Sequence, residues 1–62
     1  MTKPKCKLIG MDGNIFNLMG IASRTLEAAG LKQQANEMVD RITKSHSYDE
    51  ALRIIMEYVE VE

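Results

Sequence analysis

Cysteine, proline, phenylalanine and histidine occur once each in this 62-residue chain, and tryptophan is absent. The lone Cys6 rules out a disulfide within the chain and fits a reducing compartment, where thiols stay free. One cysteine and one histidine cannot build a structural zinc site, which takes about four ligands of those types. No stretch approaches the roughly 20 apolar residues that span a bilayer. The basic segment Thr2–Lys7 is followed by an apolar run broken at Gly10, Asp12 and Asn14, which is not the form of a signal peptide. The expected location is cytoplasmic. The glycines at 10, 13 and 20 match neither the dinucleotide nor the nucleoside-triphosphate loop.

A strong charge of one sign is also missing. The formal net charge is −1, so no global field draws nucleic acid or an anionic membrane. The distribution is uneven, however. Residues 1–31 set Lys3, Lys5, Lys7 and Arg24 against Asp12 and Glu27. Residues 32–62 set Lys32, Arg41, Lys44 and Arg53 against Glu37, Asp40, Asp49, Glu50, Glu57, Glu60 and Glu62. A basic start and an acidic end attract each other, within one molecule or between two.

What is present is the composition of one folded domain over residues 1–62, 45% hydrophobic and 27% charged. A chain this short buries only about 60% of its unfolded surface, so good helix packing or a partner subunit has to supplement a small core. Residues 1–4 read as a frayed end. Residues 5–9 alternate, with Lys5 and Lys7 on one side and Cys6 and Leu8 on the other, the pattern of a short strand.

Three helices follow. The first spans about Asn14 to Ala29, capped by Asp12 or Asn14 and ended by Gly30. Its stripe is Ile15, Met19, Ala22, Leu26 and Ala29, widened by Phe16 and Leu18. Gly20 within it marks either a close backbone approach or a tolerated weak spot. The second runs from about Lys32 to Lys44 on a thin stripe of Ala35, Met38, Val39 and Ile42. The third starts at the capping box Ser47-Tyr48-Asp49-Glu50 and carries Tyr48, Leu52, Ile55 and Val59, broadened by Ala51, Ile54 and Tyr58. The ending Tyr58-Val59-Glu60-Val61-Glu62 alternates again. Paired with the first strand, it places Val59 and Val61 beside Cys6 and Leu8, and its glutamates near the lysines. The expected fold is α+β, with an N-terminal strand, three helices and a C-terminal strand pairing with the first. An all-α three-helix domain is the alternative.

The chemistry-bearing residues are sparse. Asp12-Gly13-Asn14 lacks the further oxygen ligands of a calcium loop, since Phe16 and Asn17 follow, and reads as a turn with a helix cap. His46 reads as a loop histidine. A Cys6–His46 thiol–imidazole pair is disfavoured by the apolar side on which Cys6 lies. Asp49 and Glu50 are adjacent on one helix and suit capping better than paired acid–base work. No catalytic, cofactor-binding or metal-binding residue is expected. Met11 and Met56 fit no stripe. With Ile54 they form a candidate surface for a protein partner or a second copy, exposed methionine being suited to adaptable contacts. Nucleic-acid binding through Lys3, Lys5 and Lys7 is a weaker alternative, and a small hydrolase or metal protein a weaker one still.

The run Lys7-Leu8-Ile9-Gly10-Met11-Asp12-Gly13-Asn14-Ile15-Phe16, with Leu18 and Gly20 beyond it, resembles the opening of a family of short bacterial proteins of uncharacterised function. That family also closes like Tyr58-Val59-Glu60-Val61-Glu62. The likeness extends over nearly the whole chain and implies a small protein entire in itself. It brings no activity, ligand or catalytic residue. It implies only that Asp12, Gly13, Asn14 and Phe16 form a shared turn feature.

Overall fold

A computed structural model describes residues 3–62. The order is β1 (Lys5–Cys6), α1 (Ile15–Ala28), α2 (Lys32–Thr43), α3 (Tyr48–Tyr58) and β2 (Glu60–Val61). The protein is therefore α+β and mostly helical. The two strands pair in parallel, Lys5 opposite Glu60 and Cys6 opposite Val61. Parallel strands need a crossover between them, and here the whole helical layer serves as one.

Each helix boundary has a local cause. The Asn14 side chain accepts the Phe16 N–H at 2.9 Å and opens α1. At its far end Gly30 takes a positive φ of 78°. The Leu31 N–H then bonds the Leu26 carbonyl and the Gly30 N–H the Glu27 carbonyl, closing the helix in a Schellman motif. Ser47 caps α3 by accepting the Glu50 N–H at 3.1 Å. The Glu50 carboxylate reaches back one residue beyond the usual capping box, to the His46 N–H at 2.7 Å. No glycine ends α3; the buried, β-branched Val59 turns extended and leads straight into β2.

The core draws on β1, on all three helices and on residues beside them, with Val61 of β2 packed at its edge. Cys6 and Leu8 come from the first strand region, Leu18, Ala22 and Leu26 from α1, and Ala35, Met38 and Ile42 from α2. Ala51, Ile54, Ile55 and Tyr58 come from α3, with Val59 after it. Full burial of one such aliphatic side chain is worth about 1.5–3 kcal/mol. The strand face alternates as its sequence does: Cys6 and Leu8 are buried, Lys5 and Lys7 exposed.

Several expectations are corrected. Ile54 is no surface residue: it is 6% exposed and sits in the core. Ala51, Ile54, Ile55 and Tyr58 share the inward face of α3, whereas Tyr48, Leu52 and Met56 form a row about a third of a turn round. Phe16, expected to widen the α1 stripe, is 72% exposed. The strands are two residues each, shorter than residues 5–9 and 58–62 suggest. The frayed start does not hold at Lys3 and Pro4. The Pro4 carbonyl accepts the Glu60 N–H at 2.8 Å, and the Lys3 ammonium donates to the Met56 carbonyl at 2.7 Å. Met1 and Thr2 lie outside the described residues.

The Gly20 question is also decided. A Cβ at Gly20 would meet nothing within 4 Å, so no backbone approaches it. Gly20→Ala is expected to raise stability by about 0.5–1 kcal/mol through helix propensity. Gly30→Ala has as much room but the wrong φ, and is expected to lower stability by about 1–2 kcal/mol. Urea unfolding of the two variants should move the midpoint in opposite directions.

Candidate functional site

The turn Asp12-Gly13-Asn14 is spent on structure. The Asp12 carboxylate accepts the Asn14 N–H at 3.1 Å, and the Asp12 carbonyl accepts from the Asn17 side-chain amide at 2.9 Å. The Gly13 carbonyl accepts the Tyr48 hydroxyl proton. The turn thus caps α1 and ties its start to the start of α3. Of the shared feature Asp12, Gly13, Asn14 and Phe16, the last joins through its backbone N–H while its ring stands in solvent.

His46 and Cys6 occupy separate environments. His46 is exposed in the α2–α3 turn. It borders a shallow depression of about 310 Å³ with Phe16, Ile42, Ser45 and Tyr48. Cys6 is buried beside α1, its Sγ 3.5 Å from the Thr25 hydroxyl, which donates to the Ile21 carbonyl at 2.9 Å. Among the described residues no three His, Cys, Asp or Glu side chains cluster as metal ligands would. No helix among them is long and apolar enough to cross a membrane.

One network of ionisable groups joins α2 to α3, while Lys44 and Asp40 pair at 3.1 Å along the end of α2. Arg41 donates two hydrogen bonds to the Glu57 carboxylate, at 2.8 and 3.1 Å, and a third to the Tyr58 hydroxyl at 3.2 Å. Its guanidinium carbon lies 5.7 Å from the Tyr58 ring centroid. The Tyr58 hydroxyl in turn donates to Glu37 at 2.5 Å. The Arg41 hydrogen bond holds Glu57 below the usual carboxylate range. Burial, and then the bond to Glu37, pushes the Tyr58 phenol up. This network is a clamp between helices, in which each group is engaged by another.

The remaining feature is apolar. Ile9 is 69% exposed, and Met11, Tyr48 and Met56 are each about half exposed. These four line one groove of about 320 Å³, floored by Leu8, Leu18 and Ile55 and walled by Leu52 and Val61. Tyr48 separates this groove from the depression that holds Phe16. Among the described residues, the other large hydrophobic side chains that stand in solvent, Ile9, Met11, Phe16 and Met56, therefore all line one or other of the two depressions that Tyr48 borders. Of the surface residues expected from sequence, Met11 and Met56 belong here and Ile54 does not. Sequence reading missed Ile9, Phe16, Tyr48 and Leu52. The available signal was the i, i+4, i+8 spacing of Tyr48, Leu52 and Met56, a second apolar row on a helix that already had one.

No protein-family model matches this chain, and neither the curated proteins nor the solved structures give a match.

The clamp makes a pH prediction. Glu57, with its lowered pKa, contributes stability above the ordinary carboxylate range, and that contribution is lost as pH falls through the lowered value. Tyr58, with its raised pKa, contributes below the ordinary phenol value of about 10 and loses that contribution as pH rises beyond it. The Arg41–Glu57 pair is half exposed and solvent-screened, so its share is small. Melting midpoints should fall at both extremes. Glu57→Gln should melt below the parent protein at neutral pH, the gap closing under about pH 4. A gap that persists unchanged into acid would mean that the pair does not titrate with folding.

Proposed function

We propose that this chain is a small non-enzymatic protein–protein interaction module, working in a reducing compartment such as the cytoplasm, whose docking surface is the apolar face around Tyr48. The observation that carries the reading is the gathering of Ile9, Met11, Phe16, Tyr48 and Met56 on one face of a chain this small. Single exposed apolar residues are ordinary, but a contiguous patch marks an interaction surface. Two flexible methionines at such a surface suit contact with a protein.

The surrounding chemistry supports the same reading. Asp12 and Glu50 serve helix caps, and Glu37, Glu57 and the Tyr58 hydroxyl serve the interhelix clamp. The basic start is offset locally: Lys5 lies opposite Glu60, and Lys3 is held at the end of α3. Of the three lysines, that leaves chiefly the exposed Lys7 for phosphate contacts. The free, buried Cys6 fits the reducing location. Kinship with the short bacterial proteins that the Lys7–Phe16 opening resembles belongs to the same proposal.

The test is a comparison of tagged parent protein and Met56→Glu as baits in a lysate of the native host. Met56 is exposed, so the variant should keep its unfolding free energy within about 0.5 kcal/mol of the parent's. Specific capture by the parent that disappears with Met56→Glu is the expected result. Equal capture by both baits would place the docking surface elsewhere.

A further inference from the structure

Resting on that reading, we infer that the occupant of the apolar face is a second copy of this chain, docked about a two-fold axis near Tyr48. Two-fold docking requires one surface to carry both a projection and its receptor. This face has both. Phe16 stands 72% exposed at the start of α1, a ring whose burial inside its own molecule is minimal. Three residues earlier Gly13 lines the groove, with Tyr48 between groove and ring. The groove, at about 320 Å³, is large enough for one aromatic side chain, and its rim is Ile9, Met11, Leu52 and Met56. A two-fold operation places Phe16 of each copy in the groove of the other. The same contact is thereby made twice.

The extent of the face matches such a dimer. Its five exposed side chains offer on the order of 500 Å² of apolar surface per copy. Two copies would remove about 1,000 Å² of apolar area, plus the polar rim, which reaches the lower bound of a specific interface. Charge permits the pairing. The formal charge of −1 gives two copies little mutual repulsion. The flank of α3 beside the groove carries Asp49 and Arg53, one turn apart and opposite in sign, so it offers no one-sign field to a strongly acidic or basic partner. The chain's other opposite charges, Lys5 and Glu60, are already adjacent within one molecule and are not needed to join two.

Sedimentation equilibrium of the purified full chain between roughly 1 µM and 1 mM is the test. The parent protein should pass from monomer to dimer in that window and stop there. Phe16→Ala and Met56→Glu, both at exposed positions, should raise the dissociation constant about tenfold or more while keeping the parent's circular dichroism. In a mixed isotope-labelled sample, the Phe16 ring should give intermolecular contacts to the methyl groups of Met11, Leu52 or Met56. A chain monomeric throughout overturns the inference, as does a dimer that both variants leave intact. The docking reading fails separately, by equal lysate capture with and without Met56→Glu.

Discussion

The parallel pairing of the two chain ends is the constraint on which the other contacts depend. Glu60 bonds back to Pro4, Glu62 to Cys6, and Leu8 to Glu62, each at 2.8–2.9 Å. A two-stranded ribbon of this length has no stability of its own. It persists because pairing carries Cys6, Leu8 and Val59 under the helices, where each is buried. The closure also fixes the direction in which α3 must leave the helical layer. An extended Val59 directly after Tyr58 satisfies that requirement with no intervening loop. The Lys5–Glu60 register adds charge complementarity, and the burial of the alternate residues supplies the energy.

The same closure explains why α3 shows two apolar faces. With α1 and α2 packed on one side and the strands at its end, the inward face takes Ala51, Ile54, Ile55 and Tyr58. Tyr48, Leu52 and Met56 then lie on the flank next to the Leu8–Gly13 connection, which covers them only in part. The Arg41 clamp holds α3 from the α2 side. The Tyr48–Gly13 bond holds its start from the other. The helix is fixed at both ends, and the flank between those ends stays open.

What the sequence revealed divides along physical lines. The Asn14 cap, the Gly30 stop and the Ser47–Glu50 box were legible because each is decided by bonds within a few residues. The alternation of Lys5 to Leu8 told which strand residues would be buried for the same reason. Strand direction was not encoded locally; it follows from where three helices deliver the chain. The rotation of a helix about its axis is equally non-local. On α3 nearly every position from Tyr48 to Val59 that is not charged is apolar, so periodicity alone allowed Tyr48 inside and Ile54 outside. Packing against α1 and α2 reversed the two. Phe16 is the same error on α1, where Ile15, Leu18 and Met19 already supplied a sufficient face.

The apolar character of the open face is not demanded by folding. Phe16 and Met56 contribute almost nothing to the core, and polar residues there would leave Leu26, Met38 and Ile55 as well packed as they are. In water such substitutions would improve solubility, since an uncovered patch of several hundred Å² invites association. Sheet pairing, caps and clamp all operate without these side chains. The physical circumstance in which their hydrophobicity stabilises anything is one where water is removed from them. In the proposed dimer that circumstance is met by the same face of a second copy, whose groove would take the projecting aromatic.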